Sequence, residues 1–343
     1  MPPPDLSVVI PVFNRGDLIR YTLESVRRAS AGVAVETIII DDGSATPVAA
    51  DLARLGYAVS HIHRQQNSGL LFARLAGLAR ATGRYVLFLD SDDLVTSDKL
   101  IAQVSAMDRA NVDVSYTDTA RTTLLGDYDT LALTLDGSLT ATSDAAEFFV
   151  GVQPAPHCPI FRLTYLDEIV RTACFPPSPL YNPVAEIWFY HNAAPRPGRV
   201  VYVPGPRAII GQHPDARLTN HWERLGVASL AVMEAFARTC PADTTAARRA
   251  RQFVGEKAFG SWRRLPREFS PAFATRTLNL WRTLADSALT PALGGGLFQK
   301  LARVLGPVTA ARLLHRFQAA PYASCRTLSD ADLNRLLATI PPP

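Results

Sequence analysis

The sequence predicts an α/β protein, a doubly wound and mostly parallel sheet with an appended C-terminal α-helical domain. Over the first third of the chain, short apolar runs alternate with amphipathic stretches, the mark of βαβ units. After Trp222 the pattern turns mostly helical, punctuated by Pro241, Pro266, Pro271, Pro291, Gly294-Gly295-Gly296 and Pro307. At 343 residues a single core stops growing efficiently, so two or three subdomains are expected.

The elements follow in order. Residues 6–10 read as a buried strand and 16–29 as a helix with Ile19, Leu23 and Val26 on one face. A second strand is expected at 37–40, a third at 58–63 and a fourth at 84–89. Between the last two, 70–81 places Leu71, Leu75 and Leu78 at helical spacing. A helix over 97–109 then leads to a fifth strand at 112–116. Residues 119–220 lose this rhythm, with proline-rich connections around short helices at 144–150 and 184–194. Boundaries near 118 and 221 divide the chain into 1–118, 119–221 and 222–343.

Composition narrows the function. The apolar fraction of 48% is that of a globular protein. No apolar run is long enough to cross a membrane, and Met1-Pro2-Pro3-Pro4-Asp5 lacks the basic and apolar parts of a signal peptide, so a cytoplasmic protein is expected. Cys158, Cys174, Cys240 and Cys325 are far apart, with no CxxC pair, and read as reduced thiols. Residues 1–221 hold 18 basic and 23 acidic side chains, a net of −5, whereas 222–343 hold 17 and 8, a net of +9. The basic excess therefore belongs to the helical tail.

In an open parallel sheet, ligands bind beyond the carboxyl ends of the strands. Polar residues cluster there: the first strand runs into Pro11-Val12-Phe13-Asn14, the second into Asp41-Asp42-Gly43-Ser44 and the fourth into Asp90-Ser91-Asp92-Asp93. Carboxylates one residue apart repel unless a cation or donor intervenes. A hard divalent ion, Mn²⁺ or Mg²⁺, suits such oxygens and keeps places for water and phosphate. The competing reading is an Asp-rich turn with Ser97 capping the next helix. Asp41 and Asp42 either form an Asx turn with Gly43 at positive φ or offer a carboxylate to a base or ribose. Neither GxGxxG nor GxxxxGK followed by Ser or Thr occurs, so a nucleotide here is held without a dinucleotide fingerprint or P-loop.

These blocks carry a resemblance. Ser7-Val8-Val9-Ile10-Pro11-Val12-Phe13-Asn14, Ile40-Asp41-Asp42-Gly43-Ser44, Asn67-Ser68-Gly69 with Ala73-Arg74, Ala81-Thr82-Gly83-Arg84-Tyr85 and Phe88-Leu89-Asp90-Ser91-Asp92-Asp93 resemble the family 2 glycosyltransferases of the GT-A fold. The match is strong over 5–118 and weak over 155–220. It implies a nucleotide-sugar donor with uridine as the first candidate base, a divalent metal, and transfer with inversion, in surface polysaccharide or glycoconjugate synthesis. Carried over by position, Pro11 and Phe13 line the nucleotide pocket, Asp41 and Asp42 face the base, and Asn67 and Arg74 lie near base and diphosphate. Asp90 and Asp92 become the DxD pair, with Asp92 the direct metal ligand.

The acceptor half departs from the pattern. Where the family shows a Glu-Asp pair opening a helix, this chain has Glu186-Ile187, and isoleucine takes no proton. Glu186 is then the candidate base, or else a helix N-terminal carboxylate favoured by the dipole, with Asp167 and Glu168 as second choices. His213 or Arg217 meets the diphosphate or metal, or is merely solvated. His61 and His63 read as structural, and His157 and His191 have no evident partner.

The acceptor class, whether glycan, lipid-linked or protein, stays open. A catalytically impaired relative acting as a scaffold, and a nucleotidyltransferase, are the alternatives. The arginine-rich stretches at 245–268 and 297–317 suit an ordinary helical subdomain, a peripheral membrane contact or a homodimer interface. Nucleic acid is excluded by the acidic N-terminal rim and the lack of any recognition motif.

Overall fold

Seven consecutive buried residues make β1 (Leu6–Val12) the spine of the sheet. In the computed structural model, which describes residues 3–57, 59, 61–214 and 220–341, the chain gathers into two units. The first comprises 1–148, 152–173 and 197–215, and the second 149–151, 174–196 and 216–343.

In the first unit, α1 (Ile19–Ala29), β2 (Val35–Asp41), α2 (Val48–Arg54), β3 (His61–Arg64), α3 (Leu70–Leu78) and β4 (Tyr85–Phe88) follow β1. Then come β5 (Leu94–Val95), α4 (Lys99–Ala110), β6 (Val114–Thr123), β7 (Thr134–Leu135), β8 (Ile160–Arg162) and α5 (Leu163–Arg171). The expected third strand starts later, at His61, and Ala58 and Ser60 lie outside the described residues. A 13-residue strand, β9 (Val200–Gln212), completes the sheet after α6 (Ala185–Ala193), a helix of the second unit.

Among the described residues the strands form one sheet in the order β3-β2-β1-β4-β8-β6-β9-β5, with β7 on β6. The pairs β1/β2, β1/β4, β2/β3 and β6/β9 are parallel, whereas β8 and β5 run antiparallel to their neighbours. Antiparallel members as short as two or three residues show no hydrophobic period, which is why the sequence leaves them unread. The core on one side joins Leu6, Val8 and Ile10 of β1 to Ile19, Leu23 and Val26 of α1, and to Leu100, Val104 and Met107 of α4. On the other side α3 lies so close that a Cβ on Gly77 would fall 2.2 Å from Val9 Cγ1.

The second unit contains α6, then α7 (Trp222–Thr239), α8 (Thr245–Arg263), α9 (Pro271–Leu284), α10 (Gly296–Leu305), α11 (Pro307–Gln318) and α12 (Asp330–Thr339). Helix starts follow capping chemistry: Thr244, Ser270 and Ser329 each accept a backbone N–H three residues on, and Pro271 opens α9. Phe259, Leu278, Trp281, Phe298 and Ala302 form the core of α8 to α11. Among the described residues no helix is long and apolar enough to cross a membrane.

Candidate active site

The register pairs Val12 with Asp41, so β1 and β2 end side by side and their loops are stitched together. Asn14, at φ 53°, donates its N–H to Ser44 Oγ at 3.0 Å and accepts the Ala45 N–H at 2.8 Å. Asp41 is buried and accepts the N–H groups of Ser44 (2.9 Å) and Val48 (3.1 Å), with Arg64 Nη1 3.7 Å away. It thus spans the turn from Asp41 to Ser44 and takes the first N–H of α2, its bond within the turn running to the third N–H on rather than to the second, which an Asx turn would use. Asp42 accepts from Gln65 Nε2 (2.8 Å) and from the Ser68 and Gly69 N–H groups (2.9 and 2.8 Å), fastening the 65–69 loop to the strand end. Gly43 has φ 81°, and a Cβ there would sit 2.8 Å from the Asn67 nitrogen, so both backbone conformation and space demand glycine. Asn67 is exposed on this loop. Pro11 is buried within β1, and the Phe13 ring is exposed at the rim.

Beyond β4, a turn closed by the Asp93 N–H on Asp90 O (3.0 Å) carries three carboxylates, and each has a different partner. Asp90 Oδ1 accepts from Nη2 of the buried Arg74 on α3, at 2.7 Å. Asp92 Oδ2 lies 2.8 Å from His213 Nε2, one residue past β9. Asp93 accepts the Gly211 N–H at 3.0 Å, and His157 Nδ1 stands 3.0 Å from its second oxygen. Three neighbouring charges coexist because arginine, imidazole and amide donors separate them. Their accessibility differs: the side chains of Asp90 and Asp92 keep 27% and 17% exposure, against 9% for Asp93. Asp90 and Asp92 therefore face outward, and Asp93 is a tie between the acidic loop and β9. The fit at that tie is tight, since a Cβ on Gly211 would lie 1.9 Å from Asp92 O.

His157 and Gly211 are the members that sequence reading misses, because their partner Asp93 is remote along the chain. Next to His157, Cys158 O accepts from the buried Lys99 Nζ at 2.9 Å, and burial pulls that ammonium down to about 7. Ser97 does not cap α4; Asp98 holds the cap position.

The donor set suits a hard divalent ion. Asp92 and His213 present a carboxylate oxygen and an imidazole nitrogen at one point, with the Asp90 carboxylate two residues away. Among the described residues no three such side chains form a closed metal cage, so an ion here would complete its shell with water and ligand oxygens. Glu186 belongs to the second unit, in the first turn of α6. Asp167 and Glu168 are exposed on α5, and Arg217 lies outside the described residues.

An uncharacterized glycosyltransferase of Rickettsia conorii is 34% identical over 116 residues, 33% of this chain and 18% of that protein. The succinoglycan biosynthesis protein ExoO of Rhizobium meliloti is 35% identical over 113 residues, 33% of this chain and 32% of that protein. The chain thus spans a third or less of the length of these two relatives. Staphylococcus aureus TarS residues 1–349, crystallised with UDP-GlcNAc, superposes with a TM-score of 0.62 at 15% identity, over 95% of this chain and 93% of that one, a likeness of fold. Residues 7–169 match the profile of Glycosyl transferase family 2. That segment, which carries the β1, β2 and β4 rim with its acidic turn, is thus similar to glycosyl transferase family 2, and the fold is of the GT-A type.

Proposed function

We propose that the protein transfers a sugar from a nucleoside diphosphate sugar, UDP first among donors, to an acceptor hydroxyl with inversion at the anomeric carbon. The observation that carries this reading is the Asp92–His213 pair standing beside the Asp90–Arg74 ion pair at the carboxyl rim of the sheet. ExoO is named for succinoglycan biosynthesis and the TarS fragment was crystallised with UDP-GlcNAc, which supports a polysaccharide or glycoconjugate acceptor and a UDP-sugar donor.

In this reading 1–118 serve the donor, 119–221 the acceptor, and 222–343 form an appended helical domain. Phe13, exposed at the rim, packs on the base, with Pro11 behind it in the strand. Asp41 and Asp42 hold the loops that shape the nucleotide cleft, and Asn67 faces the same cleft. Asp92 and His213, with Asp90, hold Mn²⁺ or Mg²⁺, which when bound neutralises the diphosphate that leaves. Buried Arg74 holds the Asp90 carboxylate in place. Glu186 accepts the proton of the attacking hydroxyl. Nucleotide sugars are cytoplasmic metabolites, and the reading assigns the protein to that compartment.

The test is thermal stabilisation by UDP, GDP, TDP and CDP, each with Mn²⁺ and with chelator. At about a hundred times its dissociation constant, the right nucleotide with metal stabilises the fold by about 2.7 kcal/mol. Asp92→Asn removes the metal-dependent part. An unchanged shift in that variant overturns the site, and no shift with any nucleotide overturns the function. The scaffold alternative rests on Ile187 in place of the expected acid. Slow hydrolysis of a UDP-sugar by the wild-type chain, lost in Asp92→Asn, rules it out.

A further inference from the structure

Helices α10 and α11 form a hairpin around Gly306 (φ 78°) and Pro307. On α10, Phe298 and Ala302 turn inward to the core of Phe259 and Trp281. The other side keeps apolar residues in the open: Leu297 is 61% exposed, Val304 83%, and Leu305 is exposed as well. Spacings of seven and eight residues put Leu297, Val304 and Leu305 on one helical face. Leu313 of α11 is exposed too, so four of the nine large apolar residues found exposed among the described residues fall within 17 positions of this hairpin. Single exposed apolar side chains are ordinary, but such concentration is not.

Charge identifies what covers them. From Ser287 to Ser329 the sequence holds no Asp or Glu and five bases, Lys300, Arg303, Arg312, Arg316 and Arg326. The first four are exposed on the same two helices. A second copy of the hairpin would set like charges against like, and among the described residues of the hairpin no exposed aromatic offers a nucleic acid a surface to stack on. Aliphatic residues flanked by bases, with no acid on either helix and only Glu268 sharing a pocket with Arg312, match a leaflet of anionic lipid, where the leucines and valine enter the interface and the bases meet head groups.

We propose that the α10–α11 hairpin docks the protein on an anionic bilayer surface through Leu297, Val304 and Leu305, with Lys300, Arg303, Arg312 and Arg316 at the head groups. This goes beyond the sugar-transfer reading and does not depend on it.

The experiment sediments the full chain with vesicles of phosphatidylcholine, alone or with about a third phosphatidylglycerol. Binding is expected to the anionic vesicles only, and to weaken as salt rises. The Leu297→Glu/Val304→Glu variant, changed at exposed positions, keeps the wild-type melting midpoint and loses at least tenfold in vesicle partition. A variant with Lys300, Arg303, Arg312 and Arg316 all changed to Gln loses the salt-sensitive part. Equal binding to zwitterionic vesicles, no binding to either, or wild-type binding by the Glu variant overturns the proposal. So does a concentration-dependent dimer, seen by light scattering without lipid and abolished by the Glu variant, since a second copy then covers the face.

Discussion

Five aspartates at two strand ends have separate duties set by what each one touches. Asp41 and Asp42 serve backbone amides, Asp93 ties a loop to a strand, and Asp90 and Asp92 keep an outward face. Replacing Asp42 with Ala strands two amides and the Gln65 side chain, and is expected to cost about 2–3 kcal/mol. Urea unfolding checks the size, and faster hydrogen exchange at Ser68 and Gly69 checks the place. Glu186→Gln is expected to lower kcat with donor affinity intact, and equal rates would move the base elsewhere. At Cys174, hydrogen bonding with the Cys240 thiol and the nearby Arg196 guanidinium hold the thiol below the ordinary cysteine range. Iodoacetamide at pH 7 should therefore label Cys174 ahead of Cys325, read by peptide mass spectrometry. Sequence reading located the acidic pairs, because adjacent carboxylates at a strand exit are visible in one dimension. It could not divide their duties, since the donors come from Ser68, Gly69, Gly211 and His157.

Among the elements, β1, β2 and β4 were readable as short, nearly continuous apolar runs. The end of the sheet was legible only through resemblance, with Tyr202-Val203-Pro204 similar to the family's closing strand. β9 reads Val-Val-Tyr-Val-Pro-Gly-Pro-Arg-Ala-Ile-Ile-Gly-Gln, and its two prolines argue against a strand inside a sheet. The structure accommodates them with register shifts against β6 between Tyr116 and Thr119, where Asp118 takes the Gly205 N–H at 2.9 Å and the Tyr202 hydroxyl at 2.7 Å. Close approach makes two glycines informative. Gly77→Ala should cost about 1–3 kcal/mol by crowding Val9, with nucleotide response preserved in the folded protein. Gly211→Ala should cost a similar amount and also weaken the Mn²⁺-dependent nucleotide shift, because it pushes the acidic turn off β9. Equal nucleotide responses in the two variants would mean that the turn does not need β9 to hold its shape.

At the scale of the molecule each unit should answer acid in its own way. Burial pulls His191, in the second unit, down to about 4. A histidine held neutral in the fold charges on unfolding, so its contribution is whole above its unfolded pKa of about 6.5 and is lost as pH falls toward 4. The first unit's ion-paired carboxylates behave otherwise. Arg27 and Arg28 hold Glu24 down to about 2, and Arg84 holds Asp5 and Asp108 low, so their support is whole above the ordinary carboxylate range and lost only below it. All four tryptophans, Trp188, Trp222, Trp262 and Trp281, lie in the second unit, so their fluorescence reports on it alone. Thermal midpoints by tryptophan emission should fall between pH 6.5 and 4, and His191→Gln should flatten that slope. An unaltered slope would assign the acid sensitivity to another group.

The first unit is not continuous in the chain, for it leaves after residue 173 and returns with 197–215. That detour has a consequence for synthesis. A ribosome that has released the first 196 residues has delivered β6 without β9, leaving the long β6 edge short of its parallel neighbour, and the acidic turn without Gly211 or His213. The sheet cannot be completed, nor the Asp92–His213 pair form, until the next score of residues emerges, and in that interval the β6 edge is open to pairing with another chain.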